Sequence, residues 1–366
     1  MMELAGVIIG LLLIQDLALT LLLEFNYKIF SHEVRTWPPV SILLPSRDEE
    51  ENLPECLEAL ANLDYPPEKL QIILGNDQSS DRTAQILQAW VAQSELNARY
   101  IEISMTSVKL NGKAKALAQM CRLAEGDLLL FTDADCRPKP AWVKAMVTAQ
   151  LSSDAGIVTG VTQVRGKNLF TRLQGLDWWL TLGMVKTMSD LGLKLTSMGN
   201  NMLVSKEAYD AVGGFEGIPF SLTEDFEMAK QVAKKGFLSV HLTSKDNLIL
   251  TEPKSSFVEL LSQRKRWMTG AMTLPLAWKI LLGLQVLFFP SILIFIVLHP
   301  FEGILVWLAK VIVQGLFIYR FASKTGVRIG IRYLFLFELY YLITSWSTIV
   351  YYFWPAKTDW KGRKYG

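Results

Sequence analysis

The stretch LLLFTDADCRP, residues 128–138, runs a strongly apolar segment straight into two carboxylates, Asp133 and Asp135, separated by one alanine. On an extended chain that spacing sends both side chains to the same side. Like charges gathered there are costly unless a cation lies between them, and a divalent metal held by hard oxygen ligands is the natural compensator. A second acidic pair, Glu224 and Asp225 in SLTEDFEMAKQVAKKG, opens a helical pattern. The helix dipole alone would favour negative charge there, but such a carboxylate can also take a proton from a hydroxyl. QRKRWMTG, residues 263–270, sets Arg264, Lys265 and Arg266 beside Trp267 just before an apolar run, a pattern that suits anchoring at a membrane surface.

Such groups need a scaffold that delivers strand ends. VSILLP reads as a buried strand ended by Pro45, and ENLPECLEALANL as a helix with Leu53, Leu57 and Leu60 on its inner face. LQIILGND is a second strand, followed by the helix SSDRTAQILQAWVAQ with Ser79 or Ser80 as its cap. RYIEIS, the helix GKAKALAQMCRLAEG, the strand LLLFTDAD and the helix PAWVKAMVTAQ continue the alternation. This order predicts an α/β fold with a parallel-type sheet covered by helices and a site at the carboxyl ends of the strands. Asp48, then Asp77 and Asp81, then Asp133 and Asp135 fall just after three of those ends.

The chain has 366 residues, 51% hydrophobic and 20% charged, with a formal net charge of +2, so neither disorder nor nucleic-acid binding is expected. Apolar runs at 4–23, 276–298, 301–319 and 333–354 are long enough to cross a bilayer. The first lacks a basic leader region and reads as a retained anchor. The expected division is an anchor at 1–30, a catalytic domain at 31–270 and a membrane region with a basic tail at 271–366. Cys56, Cys121 and Cys136 have neither an even count nor metal-type spacing, which suits a reducing compartment. Lys28 and Arg35 follow the first span, placing the catalytic domain in the cytoplasm at the cell (inner) membrane. The loop with Arg320, Lys324, Arg328 and Arg332 also reads as inside and HPFEG as outside. Four spans would then put Lys357, Lys361, Arg363 and Lys364 outside, against the rule, unless one segment lies in the interface.

LPSRDEEENL, GNDQSSDRT, GKAKAL, DAD, TED and QRKRW occur in order between about residues 40 and 267, and in that order the chain resembles a membrane-bound family 2 glycosyltransferase. GNDQSSDRT resembles the family's D-D-G-S-x-D-x-T stretch, with Asn76 and Gln78 in place of an Asp and the Gly. The resemblance implies a GT-A fold, the Rossmann-like architecture of nucleotide-diphospho-sugar transferases, and Mg2+ or Mn2+ as cofactor. By the same resemblance Asp135 binds the metal, with Asp133 sharing it or facing the ribose. Asp48, Asp77, Asp81 and Lys113 face the nucleotide. Asp225 is the catalytic base with Glu224 beside it, and Arg266 supports the diphosphate. Gln263 and Trp267 line the acceptor side, where Asn200 and Asn201 of GNNMLVS are further candidates.

Other classes fit less well. GVTQVRGKN imitates a phosphate loop, but five residues separate Gly160 from Gly166 and Asn168 replaces the Ser or Thr. His32, His241 and His299 lack ligand spacing, which argues against a zinc hydrolase. A non-catalytic membrane scaffold gives no reason for Asp133, Asp135, Asp225 and Arg266 to coexist. The expectation is an inverting glycosyltransferase using a nucleotide sugar, with a uridine diphosphate sugar as the donor. Its acceptor is a membrane lipid rather than a growing glycan, because the ionisable groups in the spans are chiefly Asp16, Lys310 and Glu338. Those are too sparse for an obvious sugar channel, although Trp307, Tyr340, Tyr341 and Trp346 could line a short one, so a processive polysaccharide synthase is the alternative.

Overall fold

The computed structural model describes residues 2–104, 110–193, 196–355, 358–360 and 363–365. The chain forms two compact units, one of Met1–Tyr27, Val164–Thr187 and Pro253–Gly366, the other of Lys28–Gln163 and Met188–Glu252. Residues 164–187 and 253–270, which the sequence grouped with the catalytic segment, therefore belong with the apolar helices. Lys357 and Lys361 of the basic tail lie outside the described residues.

The second unit is built on strands β1 (Val40–Ser46), β2 (Leu70–Asn76), β3 (Asn97–Glu102), β4 (Leu128–Thr132), β5 (Cys136–Arg137), β6 (Ile157–Thr159), β7 (Val161–Val164), β8 (Asn201–Ser205), β9 (Ser239–His241) and β10 (Leu248–Thr251). Its helices are α2 (Leu53–Ala61), α3 (Thr83–Gln93), α4 (Gly112–Cys121), α5 (Trp142–Ser153), α7 (Lys206–Ala211), α8 (Gly214–Gly217) and α9 (Glu224–Lys234). Seven strands form one sheet in the order β3-β2-β1-β4-β8-β6-β9, and β5-β10-β7 form a smaller one. Ile42, Leu44 and Leu130 enter the core on one face, while Leu43, Leu129 and Phe131 enter the core on the other. Burial on both faces explains why β1 and β4 read as unbroken apolar runs rather than alternating ones.

The sheet is parallel from β3 through β4, as expected, but β8 pairs antiparallel with both β4 and β6. The reversal brings Asn201, at the start of β8, opposite Thr132, the last residue of β4. The turn before β8 is thereby delivered to the carboxyl end of the sheet, beside the Asp-Ala-Asp segment. Nothing in the short GNNMLVS pattern indicates direction.

The first unit holds α1 (Met2–Phe25), α6 (Leu169–Asp190, all but its last turn), α10 (Phe257–Ala271), α11 (Leu276–Leu298), α12 (Pro300–Ser323) and α13 (Ile331–Phe353). Four of these, α1, α11, α12 and α13, are long and apolar enough to cross a membrane. Their polar exceptions pair with one another. Lys310 of α12 bonds Asp16 of α1 at 2.5 Å. Turned to satisfy its neighbours, the Gln314 amide joins Lys310, at 3.1 Å, to Glu338 of α13, at 2.7 Å. Such pairing is what intramembrane charge requires.

Candidate active site

Two loops meet above β1 and β2. Asp48 lies at φ 49° and Gln78 at φ 58°, the left-handed region that favours glycine. Gln78 thus keeps the backbone shape that the resembling motif's Gly would adopt. Gln78→Val, which puts a branched side chain in that conformation, is expected to destabilise the protein by about 1–2 kcal/mol, read from the unfolding midpoint in detergent. Asn76 has a similar logic. Its side-chain amide donates to both carboxylate oxygens of Glu102, at 2.8 and 3.0 Å, where an Asp would add a second negative charge.

The loops are stitched together by side chains. Asp48 Oδ1 accepts from the Ser80 backbone N–H at 2.7 Å, and the Asp48 N–H donates to Ser79 Oγ at 3.0 Å. Asp81 accepts from the Thr83 N–H at 2.9 Å and, through its other oxygen, from the Glu50 N–H at 3.0 Å. Asp81 therefore braces the two loops. Ser79 and Ser80 are likewise taken up by Asp48 and do not cap α3, which starts later, at Thr83. Burial alone would raise the Asp81 carboxyl, but the bonds from Thr83 and Glu50 outweigh it and hold it below its ordinary value. With the folded value depressed, the brace is intact at neutral pH and is lost only as pH falls below the usual carboxylate range. Asp77 is buried, and Lys115, also buried, lies 3.9 Å from its carboxylate.

At the end of β4 the charge compensator is a lysine. Lys113, in the first turn of α4, bonds Asp133 at 2.5 Å and lies 3.7 Å from Glu224. Burial would discharge this ammonium, but Asp133 and Glu224 outweigh it and hold it charged well above the usual lysine range. Asn111, missed by the sequence reading, ties this cluster together. Its oxygen caps α4 by accepting from the Ala114 N–H at 2.8 Å, and its amide donates to Glu224 at 3.1 Å. Glu224 is buried in this network.

Asp225 points elsewhere. One of its oxygens accepts from the Gly199 N–H at 2.6 Å and the other from the Phe226 N–H at 2.8 Å, which holds the carboxylate in one orientation. Gly199, a second missed residue, packs tightly here, because a Cβ there would lie 3.1 Å from the Asp225 carboxylate and would push on it. Gly199→Ala is expected to lower turnover roughly 10-fold by displacing Asp225, with nucleotide binding unchanged in calorimetry.

Asn200 is half-buried and accepts from Thr162 at 3.2 Å. Asn201 corrects the sequence reading: it is fully buried, its amide donates to the Val161 and Asn247 carbonyls, and its oxygen accepts from the Trp142 indole at 2.9 Å. A side chain so fully used is structural and touches no acceptor. Asp135 is half-buried, and its Oδ1 lies 3.5 Å from the Cys136 thiol. The three cysteines are free and buried, and burial pushes the Cys121 thiol up to about 12, so it offers no nucleophile.

QRKRW lies on α10, in the first unit. Arg264 forms an ion pair with Asp177 of α6, and Lys265 donates to the Trp354 carbonyl at 3.0 Å. Both face protein partners, so the surface-anchor reading does not describe them. Gln263 and Arg266 are half-buried, and the Trp267 ring packs edge-on against Trp178 at 5.4 Å.

As to metal binding, no group of three or more His, Cys, Asp or Glu side chains gathers among the described residues. Asp133 and Asp135 nonetheless fit a hard divalent ion whose remaining ligands come from phosphate oxygens, since such ions commonly bind through one or two carboxylates plus substrate.

A mixed sheet with acidic residues at its carboxyl ends, in a chain with apolar helices toward both termini, has the GT-A fold. The chain belongs to glycosyl transferase family 21, whose family model matches residues 3–366. The motifs that resemble family 2 are thus of a type this family shares. The chain is 28% identical over 261 residues to the probable glycosyltransferase YdaM of Bacillus subtilis, covering 67% of this chain and 60% of that protein. It is 24% identical over 265 residues to the beta-monoglucosyldiacylglycerol synthase of Synechocystis sp., covering 66% of this chain and 52% of the synthase. The chain thus spans between half and two-thirds of the length of these two relatives. Among solved structures, the mannosyltransferase PcManGT from Pyrobaculum calidifontis, in complex with GDP-Man and Mn2+, aligns with a TM-score of 0.64 at 16% identity. That alignment covers 97% of this chain and 99% of the mannosyltransferase and shows a common fold.

Proposed function

We propose that the protein transfers a sugar from a nucleoside-diphosphate sugar, with a uridine diphosphate sugar as the expected donor, to a hydroxyl of a membrane lipid, with inversion at the anomeric carbon. The observation that carries this reading is the separation of roles at the sheet's carboxyl end. Asp133 is neutralised by Lys113, Glu224 is held by Asn111 and Lys113, and Asp225 is oriented by the Gly199 and Phe226 N–H groups.

In this reading Asp225 takes the proton of the acceptor hydroxyl as that oxygen attacks the anomeric carbon, and the diphosphate leaves from the opposite face with the bonding pair. Glu224 is a positioning residue for Lys113 and for the first turn of α9. Lys113 stabilises charge on the diphosphate, and Asp48 and Asp77 face the nucleoside. A divalent ion, Mg2+ or Mn2+, held by Asp135 and Asp133 would neutralise the leaving diphosphate. Arg266 is assigned to the diphosphate, and Gln263, Trp267 and Asn200 to the acceptor, on the strength of the motif resemblance. The GDP-Man and Mn2+ in the mannosyltransferase complex support a nucleotide sugar and a divalent metal, and the similarity to a beta-monoglucosyldiacylglycerol synthase supports a lipid acceptor.

A lipid is favoured over a growing polymer because Asp16, Lys310 and Glu338, the chief ionisable groups of the spans, are drawn together with Gln314 into one cluster. Lys28 and Arg35 support a cytoplasm-facing second unit. The test incubates protein-containing membranes with a panel of labelled nucleotide sugars. Label in a chloroform-methanol extract supports the reading; label confined to a long water-soluble polymer contradicts it.

A further inference from the structure

We propose that Arg172, Arg332 and Tyr333 form a phosphate site that holds the headgroup of an anionic phospholipid. The proposal rests on the membrane-spanning reading of α12 and α13 and is independent of the transfer reaction. The Tyr333 phenol oxygen accepts from Arg172 at 2.7 Å and from Arg332 at 2.8 Å. The two guanidinium carbons lie 5.1 and 4.8 Å from the same ring centroid. Both arginines are exposed, and among the described residues neither forms an ion pair with a carboxylate. Nearby cations differ: Arg320 and Lys324 both pair with Glu24, at 2.8 and 3.7 Å. Two like charges are therefore gathered on one phenol, leaving forked N–H donors that match the paired oxygens of a phosphate.

The backbone adds to the site. Arg172 stands in the first turn of α6 and Arg332 in the first turn of α13, where the helix dipoles favour an anion. The VRGKN segment, which made no phosphate loop, builds the first of these starts. Asn168 accepts from the Thr171 N–H at 3.0 Å, and Gly166 packs so closely that a Cβ would lie 2.6 Å from Arg172 Cγ. Arg332 follows the link between two apolar helices, so it sits at headgroup depth, where diester phosphates are the abundant anion.

The test reconstitutes the full chain into nanodiscs of phosphatidylcholine with a minority of phosphatidylglycerol, then measures by mass spectrometry the phosphatidylglycerol retained on detergent extraction. Arg172→Gln and Arg332→Gln should each lower retention about fivefold. Arg332→Lys should retain most of it, and Lys234→Gln, at an exposed site in the other unit, should leave it unchanged. Millimolar inorganic phosphate should not displace the lipid. Unchanged retention in the Gln variants, an equal fall in Lys234→Gln, or displacement by inorganic phosphate would each overturn the proposal. If one Gln variant fails to insert, the other carries the test. Failure of the unsubstituted chain to enter the discs would remove the spanning reading and this site with it, whereas normal insertion without lipid preference removes the site alone.

Discussion

Asp225→Asn is expected to bind nucleotide normally and to turn over roughly 100-fold or more slowly. The substitution keeps the shape of the side chain and removes its ability to take a proton. It also carries a local cost. Asp225 accepts an N–H on each oxygen, from Gly199 at 2.6 Å and from Phe226 at 2.8 Å, and an amide can serve only one of them. The folded state should survive that loss because Asp225 is only half-buried and α9 retains Glu224 and Glu227 in its first turn. Calorimetric titration of the nucleotide separates the two effects. Near-normal turnover would remove the base assignment, and Glu224 could not easily inherit it, being buried against Asn111 and Lys113.

The second large effect is at Asp135. Asp133 has Lys113 at 2.5 Å as a counter-charge, and Asp135, the second carboxylate of the Asp-Ala-Asp segment, is the one the motif resemblance assigns to a metal with a bound diphosphate. Asp135→Ala should abolish transfer and the metal-dependent part of nucleotide binding. The domain should stay folded, because Asp135 follows β4 in a partly exposed turn and the core faces of β4 are carried by Leu129, Leu130 and Phe131. Unfolding followed by circular dichroism serves as the control. Full activity of the variant in the presence of a chelator would refute the metal assignment.

Much of this was legible in the residues. Strands buried on both faces and helices with one apolar face write themselves in composition, so β1, β2, β4 and helices α2 to α5 were placed within a few residues. The four apolar spans were equally plain. Direction and partnership were not. Nothing in GNNMLVS tells that β8 runs antiparallel, yet that reversal brings Asn201 to Thr132 and buries its amide under the Trp142 indole. The Asp-Ala-Asp pattern showed that a counter-charge was needed but not that Lys113, some twenty residues earlier in GKAKAL, supplies part of it. Asn111 and Gly199 act through a cap and a backbone N–H, roles that leave only a faint composition signal. Asp177 and Arg264, eighty-seven residues apart, pair within the helical unit, so a polar-looking segment proved to belong with the apolar spans.

The most direct test of in-line transfer with Asp225 as base is the anomeric configuration of the product. Proton NMR of the glycolipid formed from an α-linked nucleotide sugar reads it from the coupling of the anomeric proton. A single displacement predicts a β-linked product from the unsubstituted protein and roughly 100-fold less of it, or lower still, in the same time from Asp225→Asn. An α-linked product would contradict the account, because retention requires either a second displacement or attack from the face the diphosphate leaves.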